Sequence, residues 1–232
     1  MSDLAKKIAR LSPEKRAELE ARLLERRDSS PSASPIPRRD HAGPVPLSFA
    51  QQRLWFLQQL EPDNPVFNIA NAFRLKGPLD VEKLRKSLEI IVERHGTLRT
   101  SFGVEGGETV QWIREPSSFP LPVTGLPEFS IDSERFQDLL WEETARPFDL
   151  GSDTLLRAHL YCMGEDDHVL LLVMHHISSD GWSWGILFRE LERLYGSADT
   201  ATAASLPPLP VEYTDYALWQ RETLAGGTLE DL

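Results

Sequence analysis

Two adjacent histidines, His175 and His176, followed by Asp180 and Gly181, are the part of this 232-residue chain whose types and spacing suit proton chemistry. An imidazole titrates near pH ~6.5, so histidine is the side chain able to give or take a proton at neutral pH. The interval from His176 to Asp180 is short enough for a turn to fold the carboxylate back, where it could orient the imidazole as a triad acid does. Successive side chains on a strand point to opposite faces, so the two histidines cannot share one job. One faces a cavity and the other is held by the fold; strand parity alone does not say which face is the cavity. The residue types argue against a metal, because adjacent strand histidines diverge and no third nitrogen or sulfur ligand is near in sequence. Ser178, Ser179 and Ser183 lie in no G-x-S-x-G elbow, which argues against a serine acyl-enzyme. Gly181 leaves room for a close backbone approach.

The elements that must position these residues are legible around them. Leu170-Leu171-Leu172-Val173-Met174 is dense enough in apolar residues to be a central strand buried on both faces. Beyond the Ser-Ser-Asp-Gly turn, Trp184, Leu187, Phe188, Leu191 and Leu194 recur at helical spacing. The order is therefore strand, tight turn, amphipathic helix, with an imidazole at the strand end, a common address for chemistry in α/β folds. Residues 155–161 and 168–174 pair as strands across an acidic turn. Ser48 and Gln51 form a capping box for a helix to about residue 61, with Leu54, Leu57 and Leu60 inward. Phe67 to Leu75 alternate as a strand. Asp80 caps a helix whose buried side is Val81, Leu84, Leu88 and Ile91, and Gly96 ends it as a left-handed residue would. Gly106-Gly107 closes a hairpin between strands near 98–103 and 109–114. Residues 115–131 read as a Pro-rich loop, and 132–145 as a helix with Phe136, Leu139, Leu140 and Trp141 on its apolar face. His159 and His168 are expected to be structural or surface residues.

Composition bounds the class. A formal charge of -11, with no Lys/Arg-dense face beyond a short basic N-terminal segment, argues against nucleic acid. No apolar run approaches the ~20 residues that cross a bilayer, and no signal peptide opens the chain. The single cysteine, Cys162, excludes an internal disulfide. A cytoplasmic enzyme fits. Residues 1–27 read as a helical tail and possible docking element, 28–46 as a Pro/Ser-rich linker, and 47–232 as the folded body.

Four strings carry a family resemblance. Met174 to Ser183 matches the HHxxxDG signature of condensation domains from nonribosomal peptide synthetases, which resemble chloramphenicol acetyltransferase. Ser48-Phe49-Ala50-Gln51-Gln52-Arg53-Leu54-Trp55-Phe56-Leu57 resembles the first motif of that family. Arg94-His95-Gly96-Thr97-Leu98-Arg99-Thr100-Ser101-Phe102 resembles the second, RHxxLRTxF, with glycine at position 96 where the family often has glutamate. Tyr213 to Gln220 matches the fourth, YxDYAxWQ. The resemblance implies an α/β, two-layer α+β sandwich: one chloramphenicol-acetyltransferase-like lobe with a mixed sheet, on which helices 80–95 and 183–195 pack.

It also implies amide formation between acyl groups on upstream and downstream carrier proteins. These ride on phosphopantetheine arms, with no covalently bound cofactor in the chain itself. It makes His176 the active-site histidine, in a catalytic set with Asp180, Gly181 and His175, of which His175 is the structural member. Asp180 is expected to form a salt bridge that shapes the site, with Arg94 as leading partner and Arg99 as runner-up. Ser179, Trp182 and Ser183 are candidates for lining the substrate tunnel. Thr228 with Asp231 reads as a helix start cut short, so the chain is expected to be an N-terminal lobe whose second lobe is missing, inactive alone. The other readings are a coenzyme A-dependent acyltransferase of the HxxxD type, and a carrier- or subunit-binding module without turnover.

Overall fold

The computed structural model describes residues 36–40, 43–197 and 206–225. Its organising element is the strand Asp167–His175, which several others precede. They are β1 (Val45–Pro46), α1 (Phe49–Leu60), β2 (Asn68–Lys76), α2 (Val81–Arg94), β3 (Thr100–Glu105), β4 (Glu108–Ile113), β5 (Val123–Gly125), α3 (Glu134–Ala145) and β6 (Leu156–Gly164). Then come β7 (Asp167–His175), α4 (Gly181–Gly196) and α5 (Tyr213–Ala225), with short 3-10 turns at Pro65–Phe67 and Gly96–Arg99. A four-stranded sheet runs β2-β7-β6-β5 and a three-stranded one β1-β4-β3. The larger sheet is mixed: β7 is antiparallel to β2 and β6, while β5 is parallel to β6.

Strand β7 is central, and its alternate residues feed two cores. Leu170, Leu172 and Met174 meet Leu84, Leu88 and Ile91 of α2 and Leu187, Leu191 and Leu194 of α4. Val169, Leu171 and Val173 meet Phe136 of α3, Leu54 of α1, Phe102 of β3, Phe148 and Leu150. A continuous apolar run is what a strand covered on both sides requires. Helices packing on a mixed sheet at the expected positions is the condensation-lobe architecture anticipated above. The caps are also as expected. Ser48 and Gln51 form a reciprocal capping box on α1, and Asp80 accepts from Lys83 N–H at the head of α2. Both Gly106 and Gly107 have positive φ (61° and 89°), the two-residue hairpin geometry that glycine permits.

Several expectations need correction. On α1, Gln51, Leu54 and Gln58 are buried, whereas Leu57 and Leu60 face outward, Leu60 being 63% exposed. The helix is turned so that two glutamines with internal partners go inside, leaving an apolar outer stripe. Trp141 likewise faces solvent. The Pro-rich 115–131 segment contains β5, an edge strand too short for alternation to show. The linker is shorter than expected, since Val45–Pro46 pairs with β4 and Arg39 N–H donates to Asp215 Oδ1 at 3.1 Å. Gly96 is not left-handed. A Cβ there would lie 2.8 Å from Ile113 Cδ1 and 2.9 Å from Glu212 Oε2, so glycine serves close approach. The tail 1–27 and the Thr228–Asp231 helix start lie outside the described residues.

Candidate active site

His175 is the last residue of β7 and is 1% exposed. Its Nδ1 accepts the Ile177 N–H at 3.1 Å, and its Nε2 lies 3.4 Å from Gln58 Oε1. The Gln58 amide nitrogen donates to Pro62 O at 2.7 Å, which turns its oxygen toward the ring and assigns the histidine proton to Nε2. Phe67 and Phe148 flank the imidazole. Burial, then the charges of His176 and Arg157, push its pKa down from 6.5 to about 4, so it is neutral at physiological pH.

His176 is the opposite case. Its backbone N–H donates to Phe67 O at 2.8 Å, extending the ladder, but its ring is exposed. Nδ1 lies 2.7 Å from the Ser179 carbonyl. A carbonyl only accepts, so Nδ1 carries a proton, and Nε2 is the nitrogen that holds the lone pair whenever the ring is neutral. The turn that provides this carbonyl is held in place: the Ser178 and Ser179 hydroxyls donate to His175 O at 2.9 and 3.2 Å.

Asp180 caps α4. Its Oδ1 accepts from Ser183 N–H at 2.9 Å and Ser183 Oγ at 2.7 Å, while its own N–H donates to Ser183 Oγ. These Ser183 hydrogen bonds, with lesser help from the Trp182 N–H and the His176 charge, hold its carboxyl below the usual range. The expected arginine partnership is not formed. Arg94 Nε is 3.1 Å from Glu190 Oε1, and Arg94 also donates to Pro207 O at 2.5 Å. Arg99 donates to the carbonyls of Glu93 and Arg114. A carboxylate committed to a helix N-terminus already has its donors, so it needs no distant cation. Gly181 opens α4, and a Cβ there would meet nothing within 4 Å. Trp182 beside it is 80% exposed.

The four strings meet in two pairs, the second with the third and the first with the fourth. A cavity of about 90 Å³ is lined by Ile91, His95 and Thr97 on one side and by Met174, Ser178, Ser179 and Ser183 on the other. Tyr213 Oη lies 3.1 Å from Ser48 Oγ, and Arg221 donates to Leu47 O and Gln52 Oε1. A larger apolar cavity of about 520 Å³ lies beside Lys76 and Leu170, toward the opposite end of β7, and contains no motif residue. Sequence reasoning missed Gln58 and Glu190. Each occupies a buried helical stripe, Gln51-Leu54-Gln58 and Leu187-Glu190-Leu191-Leu194. A polar residue in such a stripe signals an internal partner.

The model of the Condensation domain family matches residues 41–231. Phosphinothricin tripeptide synthetase PhsC of Streptomyces viridochromogenes is 46% identical over all of this chain, which covers 22% of that relative. A linear gramicidin synthase of Brevibacillus parabrevis is 45% identical over 88% of this chain, which covers 3% of it. The chain thus spans less than a quarter of these relatives' length. Among solved structures, the X-domain from teicoplanin biosynthesis in complex with OxyB superposes with a TM-score of 0.75 at 30% identity, over 84% of this chain and 42% of that one. The starter condensation domain of rhizomide synthetase RzmA gives 0.70 at 21%, over 80% of this chain and 45% of that one, a likeness of fold alone. With a family match over residues 41–231 and a relative 46% identical over its whole length, the chain belongs to the condensation-domain family of nonribosomal peptide synthetases.

Proposed function

We propose that this chain contributes the histidine of a site that joins a carrier-bound acyl thioester to a carrier-bound amine. The observation that carries this reading is the state of His176: exposed, pinned through Nδ1 to Ser179 O, with a free lone pair on Nε2. In the reaction, the amine nitrogen attacks the thioester carbonyl. The Nε2 of His176 accepts the proton the nitrogen sheds, the tetrahedral centre collapses to an amide, and the departing sulfur takes the proton up. Asp180 acts through the turn rather than by touching the imidazole. It caps α4, the helix that follows the turn. His175 holds the strand end, and Ser179, Trp182 and Ser183 would line the substrate's path.

Both acyl groups would arrive on phosphopantetheine arms of upstream and downstream carrier proteins, so the arm is substrate rather than resident cofactor. Residues 1–27 would be the docking element for an upstream subunit, and the protein would act in the cytoplasm. Among the described residues no helix is long and apolar enough to cross a membrane. The test is to reconstitute a synthetase containing this chain with loaded donor and acceptor carriers. Amide product from carrier-bound substrates supports the reading. Product from free acyl-coenzyme A instead, or carrier binding without product, replaces it.

A further inference from the structure

We propose that Glu190 is a positioning residue for His176, fastening the Arg94-His95 string to α4 and so fixing the wall against which the histidine-bearing turn rests. The catalytic part rests on the function proposed above; the structural part stands without it. Glu190 lies on the inner stripe of α4, its side chain 12% exposed. A carboxylate so enclosed requires partners. It has two: Arg94 Nε at 3.1 Å and His95 Nε2 at 2.7 Å. Since a carboxylate only accepts, His95 Nε2 carries a proton. The end of α2, the middle of α4 and the Pro207 carbonyl are thereby tied to one pair of side chains.

His95 is also where this clamp reaches the site. It lines the 90 Å³ cavity together with Thr97, Ser178, Ser179 and Ser183. Ser179 provides the carbonyl that orients His176, and Ser183 holds Asp180 at the start of α4. A slide of α4 past α2 would therefore move the turn and its imidazole together. On its far side the string has no room to relax, because Gly96 packs against Ile113 and the Glu212 carboxyl, whose pKa burial raises. Misplacement of a catalytic group by about 1 Å can cost on the order of 10²-fold in rate.

Two variants test this. Glu190→Gln keeps an acceptor for His95 but drops the charge opposite Arg94. Arg94→Met/Glu190→Met removes the clamp without stranding a buried charge, a replacement that folded proteins tolerate. Nitrogen-detected histidine NMR on the 232-residue chain should show the Nδ1-protonated tautomer of His176 in the wild type, and tautomer mixing in the double variant. In a synthetase containing the chain, kcat should fall roughly 10–100-fold for the double variant and less for Glu190→Gln, with KM for loaded carriers unchanged. A double variant that keeps the wild-type His176 tautomer and kcat, whatever its melting temperature, overturns the proposal. A wild-type synthetase that forms no amide sinks the functional reading, while the NMR comparison still decides the role of Glu190.

Discussion

His175 and His176 are joined by one peptide bond and live in different solvents. The first is enclosed by Phe67 and Phe148 and hydrogen-bonded on both nitrogens, and its basicity is suppressed. The second leans on a single carbonyl and leaves its other nitrogen open. The difference teaches that strand alternation does the sorting. An odd position joins the closed core of Val169, Leu171 and Val173, and the next residue, one step past the strand, leaves the sheet altogether.

The sharpest way to break that comparison is to remove each ring in turn. His176→Ala in a synthetase containing this chain should lower amide formation by roughly 10²–10⁴-fold. The melting transition should move by no more than about 0.5 kcal/mol equivalent, as for other exposed sites. His175→Ala should reverse the pattern. It leaves a void and strands the Ile177 N–H and the Gln58 oxygen, costing about 3 kcal/mol, read by denaturant titration. Equal stability of the two variants would erase the distinction.

Acid titration sharpens it further. The His175 pKa is depressed in the folded state, so the unfolded chain binds the extra proton first. The stability its neutral ring contributes is present above about pH 6.5 and lost as pH falls toward 4, a swing of roughly 3 kcal/mol. His175→Phe should flatten the stability curve in that window, and an unchanged slope would show that other groups carry it.

Asp180→Ala should cost about 1 kcal/mol, the worth of a helix cap, rather than the ~3–5 kcal/mol of a broken buried ion pair. A loss in the larger range would restore the arginine partnership. Smallest of all, Leu60→Ser on the outer stripe of α1 should change stability by less than about 0.5 kcal/mol, whereas Leu54→Ala on the inner stripe should cost about 2 kcal/mol or more. Similar losses would mean that α1 sits differently on its sheet.

Much of this was readable in advance. The run 170–174 announced a doubly buried strand, Ser48 and Asp80 announced their helices, and strand alternation announced that His175 and His176 would part. Periodicity did not reveal β5, because three residues among prolines form no pattern. Nor did it reveal the rotation of α1, because Leu57 and Leu60 are as apolar as Leu54.

Local chemistry is written in the sequence: which residues cap and which alternate. The choice of partners is not. Arg94 sits in the second string and Asp180 in the third, so a pairing between them looked natural. The folded chain instead gives Asp180 to the free N–H groups of α4 and Arg94 to Glu190, deep on the same helix. Ion pairs form between whichever charges the packing of α2 on α4 brings within about 4 Å after their hydrogen-bond demands are met, and only the tertiary structure sets that distance.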